Sequence, residues 1–178
     1  MKYFFTADEH YYHENIIRYC NRPFANVSEM HERLIANHNS LVRAEDFVLH
    51  IGDFSLGNKE VTQLIIDRLN GLHGFVRGSH DNWLKGTGAN DIWTHKIDNI
   101  DNNFIVACHY AMRLWPRSHY NSWQLHGHSH GRLHSIGKQM DVGVDTNYFY
   151  PYAYESIVSS MQHKDDNKGY TMLQARKQ

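Results

Sequence analysis

Cysteine is scarce in this 178-residue chain: Cys20 and Cys108 are its only two, and they lie far apart. That excludes a disulfide-stapled scaffold and fits a reducing compartment. Excess charge of either sign is also missing, with 18 Lys and Arg against 19 Asp and Glu, a formal net charge of −1. A nearly neutral chain has no general attraction to nucleic acid, so no extended nucleic-acid surface is expected. No apolar run is long enough to span a membrane or act as a signal peptide, since the opening Tyr3-Phe4-Phe5 run meets Asp8 within a few residues. The expected location is cytoplasmic, with no membrane partner. Internal repeats, low-complexity tracts and linkers are absent too. That leaves one domain over residues 1–178, with the tail from about 164 peripheral.

What the chain has is 41% apolar and 13% aromatic residues, enough to bury a core, and fifteen scattered histidines. Apolar patterning predicts a strand over residues 3–7 and a short helix over 14–20, broken by Asn21-Arg22-Pro23. A second helix should run from an N-cap at Ser28 to about Leu41. A strand over 47–51 and an amphipathic helix over 59–70 follow, the helix carrying Val61, Leu64, Ile65 and Leu69 on one face. Further strands are expected at 75–77, 92–97, 104–108, 123–125, 140–144 and 170–173, and a last helix at 154–163. Residues 110–122 are polar, aromatic and aperiodic, which predicts a loop. Strands and helices alternate early and strands then follow in succession, which reads as an α/β domain with a β-rich later half.

Five polar clusters stand out: Asp8-Glu9-His10, Gly52-Asp53, Gly78-Ser79-His80-Asp81, Cys108-His109-Tyr110, and HGHSHG at 126–131. Each follows an apolar run of strand length and offers carboxylate or imidazole, a donor set suited to Zn, Mn, Fe and Ni. Donors on five loops exceed what one ion can use, so the pattern points to two ions sharing a ligand. Asp8 and His10, two apart, would in extended geometry point to one side and chelate one ion. His128 and His130 alternate likewise, flanked by glycines. Gly52 permits the sharp turn that would bring Asp53 to a metal. Taken singly, each has a plainer reading: Asp8 a helix cap, Gly-Asp a common turn, His109 a satisfied core residue. Their order along the chain is what promotes them.

That order, DxH, GD, GxHD, a lone His and GHxH, resembles the signature of the calcineurin-like metallophosphoesterases. TADEHYYHENIIRYCNRPF, HIGDFSLG, HYAMRLW, SWQLHGHSHG and MDVGVDTNYFYP resemble a small bacterial and phage branch of that family, over roughly residues 1–160. The resemblance implies two facing mixed sheets flanked by helices, an α/β/β/α sandwich with the site at the strand ends. It implies two divalent transition-metal ions, manganese foremost, with iron, zinc or nickel as alternatives. Asp8, His10, Asp53 and His130 would hold the first ion; Asp53, residue 79, His109 and His128 would hold the second. The implied activity is hydrolysis of phosphomonoesters or small phosphodiesters by a hydroxide clamped between ions roughly 3.5–4 Å apart. His80, oriented by Asp81, would stabilise phosphoryl charge or protonate the leaving oxygen. The partner is thus a small phosphorylated substrate, with a nucleotide or cyclic nucleotide suggested by the loop aromatics. His13 belongs to the resemblance as a phosphate contact or a support. Arg113 and Arg117, among Tyr110, Trp115 and Trp123, are candidates for a phosphate fork and a stacked base. Their plainer reading is solvated arginines and core aromatics.

One departure matters. The family places asparagine where Ser79 stands, and serine is a shorter and weaker neutral ligand. It opens a second reading, a phosphoesterase scaffold with a weakened second metal site that binds phosphorylated ligands with little turnover. A separate enzyme alternative is a single-metal hydrolase, which one ion per chain would favour.

Overall fold

The structure, a computed structural model, describes residues 1–85 and 96–167. The first half yields β1 (Tyr3–Thr6), α1 (Glu14–Tyr19), α2 (Val27–Leu41), β2 (Phe47–Ile51), α3 (Lys59–Ile66) and β3 (Leu72–Val76). The second half adds β4 (Lys96–Ile100), β5 (Asn103–Ala107), β6 (Trp123–His126), β7 (Gln139–Asp141), β8 (Tyr152–Ala153) and α4 (Tyr154–Gln162). The strands form two mixed sheets, ordered β3-β2-β1-β8 and β4-β5-β6-β7, with helices flanking them. The chain is mixed α/β, as its pattern predicts.

Side-chain alternation along β1 explains the layering. Phe5 and Ala7 face inward with Leu49, Ile51 and Val76, and meet Ile105, Ala107, Trp123 and Leu125 of the second sheet in one core that also takes Ile157 and Met161 of α4. Phe4 and Val48 face the other way, onto Val42. Met30, Leu34 and Ile35 of α2 pack with Ile65 of α3. Each such side chain, fully buried, contributes about 1.5–3 kcal/mol.

Two helix boundaries differ from expectation. Asn26, not Ser28, caps α2: its side chain accepts the Glu29 N–H at 2.9 Å, and the Glu29 carboxylate accepts the Ala25 N–H at 2.7 Å. This reciprocal pair satisfies two backbone donors, which Ser28 could not do from two residues further in, already inside the first turn. Helix α3 ends at Ile66, because the N–H groups of Arg68 and Leu69 bond three residues back, to Ile65 and Ile66. Leu64, expected on the buried face, is 61% exposed.

Residues 92–95 of the fourth predicted strand, and all of 170–173, lie outside the described residues. Of residues 164–167, the described part of the tail expected to be peripheral, Asp165 is exposed but Asn167 is docked. Asn167 is buried; its N–H donates to the Ser118 carbonyl (3.0 Å) and its amide to that of Arg113 (2.8 Å). The 110–122 loop is tied down in turn by the Gln124 and Gln139 amides, which donate to the Tyr110 and Met112 carbonyls. Among the described residues, no helix is long and apolar enough to cross a membrane.

β1, β2 and β3 run parallel, as do β5, β6 and β7. All the polar clusters follow the C-terminal ends of these strands. The Val144 N–H donates to the Ala7 carbonyl at 2.9 Å and joins the two sets of loops.

Candidate metal centre

The loop geometry that gathers the site is left-handed. Asp8, His10, Asp53, His128 and His130 all have positive φ, between 48° and 67°. Such backbone costs about 1–3 kcal/mol per non-glycine residue and persists only where the surroundings enforce it. Here main-chain bonds do so: Asp8 N–H to Gly52 O, His10 N–H to Asp53 O, and Tyr11 N–H to Phe54 O, all within 3.0 Å. Asp8 and His10 do converge, but through two left-handed residues and not through extended alternation. Glu9, between them, is sent to the opposite side, where its Oε1 meets His50 Nδ1 at 2.6 Å.

Among the described residues four donor groups have their ligand atoms within 4.8 Å of one another; beside His10, His13 and His80, and Cys20, His130 and Asp145, two bring the predicted ligands together: Asp8, His10 and His130, and Asp53, His109 and His128. Asp53 joins these last two, with Oδ2 3.8 Å from His10 Nε2 and 3.2 Å from His109 Nε2. The glycines make this proximity possible. A Cβ on Gly52 would sit 2.5 Å from His109 Nδ1, and one on Gly78 2.2 Å from the Asp53 backbone N.

The chemistry of the donors fits cations. His109 Nδ1 lies 3.0 Å from the Ile51 carbonyl, which can only accept, so that nitrogen carries the proton. In the neutral ring, Nε2 then turns a lone pair toward the Asp53 carboxylate. Such an arrangement holds only with a proton or a cation between them, and His109 Nε2 and His10 Nε2 are both buried without a hydrogen-bond partner. Burial disfavours the His109 cation, yet Asp53 and Asp8 together raise its pKa to about 9. Burial likewise opposes ionisation of Asp53, but His109 and the His80 N–H hold it below the usual carboxylate range. Burial pushes Asp8 up to about 7, although both its oxygens accept the His128 N–H, at 3.0 and 2.8 Å.

His130 is oriented by a residue that no spacing rule indicated. Asp145 accepts from His130 Nδ1 at 2.7 Å and from Arg22 Nε and Nη2 at 2.8 and 2.7 Å. Burial opposes its charge, but these two partners lower its pKa to about 2. An ionised Asp145 keeps the proton on Nδ1 and leaves Nε2 for a metal, the usual carboxylate–histidine support. Arg22 also donates to the Asp8 and Glu9 carbonyls. Its only sequence signal was membership of the CNRPF stretch, as MDVGVDTN was for Asp145.

The remaining candidates divide. His80 is at the rim: its N–H donates to Asp53 Oδ1 at 2.8 Å and its Nε2 is 3.8 Å from Oδ2. Asp81 does not orient it. Its buried carboxylate accepts the backbone N–H groups of Asp53, Phe54, Ser55 and Gly78 and the Trp83 indole N–H, which leaves nothing for His80. Ser79 is exposed, and its hydroxyl donates to Asp53 at 3.2–3.3 Å. His13 stands against His10 and His80. Arg117 lies over the Phe104 ring, 4.9 Å from its centroid, near the start of β5. That is five residues, roughly 15 Å of strand, from His109, too far to be a phosphate fork. Arg113 is exposed, and its carbonyl is held by Asn167. Trp115 and Trp123 are core residues, 5% and 4% exposed, but Tyr110 packs edge-on against His109 and His128 at the rim.

No family model matches the chain. It is similar to the crystal structure of the protein of unknown function AQ665 from Aquifex aeolicus, with a TM-score of 0.67 over 89% of this chain and 98% of that one. At 23% identity this likeness concerns the fold alone. It is 30% identical over 173 residues to the uncharacterized protein MJ1445 of Methanocaldococcus jannaschii, covering 90% of this chain and 92% of that protein. At that identity and coverage, the chain belongs to the family of MJ1445.

Proposed function

We propose that this chain is a calcineurin-like metallophosphoesterase with the α/β/β/α sandwich of that family, hydrolysing phosphomonoesters or small phosphodiesters at a dinuclear metal centre. The observation that carries the reading is that the two donor groups meet at Asp53, which belongs to one and reaches toward His10 of the other. Asp8, His10 and His130 would hold one ion and Asp53, His109 and His128 the other, with Asp53 shared. Imidazole and carboxylate donors suit manganese, iron, zinc or nickel. Such ions, when bound, supply a water of lowered pKa and positive charge for the phosphoryl oxygens. The residues do the rest. Asp145 and Ile51 fix the tautomers of His130 and His109, Asp81 clamps the Asp53 loop, and His80 at the rim would protonate the leaving oxygen. Ser79 favours a second reading, a scaffold that retains phosphorylated ligands with little turnover, because its hydroxyl donates to Asp53 where the family has an amide oxygen.

The test is Asp53→Asn, assayed with manganese on a panel of phosphomonoesters, phosphodiesters and cyclic nucleotides beside elemental analysis of metal content. Asp53→Asn should lose more activity than any other single-ligand variant and fall below two ions per chain. Near wild-type turnover and metal content would sink the dinuclear assignment. Two ions in the wild type without turnover of any ester would favour the binding scaffold.

A further inference from the structure

His13 was not among the donors used above, yet the structure ties it to one of them. Its Nδ1 lies 3.1 Å from His10 Nδ1. Two imidazole nitrogens at that distance share one proton, and either ring can hold it. His10 decides which. Its other nitrogen, Nε2, is buried without a hydrogen-bond partner and faces Asp53 Oδ2, so it is the nitrogen left for a cation. A ring that ligates through Nε2 keeps its proton on Nδ1. His10 therefore donates, His13 Nδ1 accepts, and the proton of neutral His13 must sit on Nε2. That nitrogen makes no protein hydrogen bond among the described residues. The ring is partly exposed and its centroid is 5.2 Å from that of His80.

We infer that His13 is a substrate-binding residue with a fixed tautomer, whose Nε2–H donates to a phosphoryl oxygen beside His80. This rests on the dinuclear reading, because the ion on His10 is what sets the direction of the hydrogen bond. A phosphate oxygen can only accept when ionised, so the opposite tautomer would present a lone pair and repel it. The arrangement thus acts through the metal: a chain without the first ion loses the defined donor.

The test uses the full chain loaded with zinc, which is diamagnetic and takes the same imidazole and carboxylate donors. Long-range proton–nitrogen correlation on labelled protein should show His13 protonated at Nε2 and bare at Nδ1. Inorganic phosphate, titrated calorimetrically, should bind His13→Ala about 10–100-fold more weakly, the size of one hydrogen bond to a charged group, with both ions still bound. His13→Gln, which restores an N–H at similar reach, should recover most of that loss. A proton on His13 Nδ1, or unchanged phosphate affinity in His13→Ala with two ions bound, overturns the inference and leaves the dinuclear reading standing. Loss of an ion in His13→Ala would make it a ligand and also overturn it. Fewer than two ions in the wild type sinks both.

Discussion

On the dinuclear reading proposed above, Ser79 is the residue that should set turnover. Its hydroxyl lies 3.2–3.3 Å from both oxygens of Asp53 and donates to them. That bond draws on the same carboxylate that an ion needs and offers a poor neutral ligand in return. Asp53, His109 and His128 remain grouped, so on that reading the second site would be weakened but not removed. Ser79→Asn should tighten the second ion by roughly tenfold, within the range that a supporting group contributes to metal affinity. It should also raise turnover at limiting manganese, with a smaller gain at saturation. Calorimetric metal titration of both forms, beside rates at several manganese concentrations, checks this; equal second-ion affinities would mean that serine already does the work of the amide.

At the scale of the element, the loop between β3 and the turn at Asn82–Leu84 is held by one carboxylate. Asp81 gathers four backbone N–H groups and the Trp83 indole, and three of those N–H groups belong to the loop carrying Asp53. Gly78 fits beneath because a Cβ there would strike the Asp53 backbone. Asp81→Asn keeps the shape but turns an N–H₂ toward groups that also donate. It should cost about 2–4 kcal/mol, seen as a Tm lower by roughly 5–15 °C for a chain of this size. Because the defect is structural, it should appear in chelator as well as with metal. His80→Ala, at the rim, should leave the Tm in chelator near wild type. Equal Tm values for wild type and Asp81→Asn would return Asp81 to a role in the chemistry.

At the scale of the whole molecule, buried titratable groups set how the metal-free protein responds to pH. Burial lowers His38 and His50 to about 3 and His73 to about 4. Their unfolded counterparts take up protons below about 6.5, so acidification through that value favours the unfolded chain. Burial raises Asp8 and Glu9 to about 7, so the folded state keeps two protons the unfolded chain loses earlier, which offsets part of that acid loss. Above 6.5 the balance reverses. His109, raised to about 9 despite burial by Asp53 and Asp8, contributes stability that is full below 6.5 and lost as pH rises through 9. The chelated protein should therefore be most stable near pH 6.5. It should weaken toward pH 9 by up to about 1.4 kcal/mol per proton per pH unit. Added zinc should rescue the alkaline side most, since a cation replaces the proton that His109 would lose. Thermal melts in chelator at pH 5, 6.5 and 8.5, repeated with zinc, test this; rising stability to pH 8.5 in chelator would contradict it.

The sequence by itself determined the candidate donors and most of the elements, though not the short strand β8. Apolar runs of strand length ending in polar clusters marked β1, β2, β5 and β6, because a buried strand must be continuous in apolar side chains and its polar ends must leave the core. The identities of Asp8, His10, Asp53, His109, His128 and His130 were legible for the same reason: few residue types can serve such a cluster, and they recur in order. What only the tertiary structure decided was who supports whom. Arg22 and Asp145 are 123 residues apart, and their pairing arises where the Ala7 carbonyl meets the Val144 N–H between the two sheets. Asp81 looked like the partner of its neighbour His80, yet a side chain's direction follows from the backbone of its turn, and this turn points it at the Asp53 loop. Arg117 looked close to the site in sequence, but a loop folded back along β5 carries it to the strand's far end. Chain separation and spatial separation part company wherever loops return over a sheet, and the supports of this centre are assembled there.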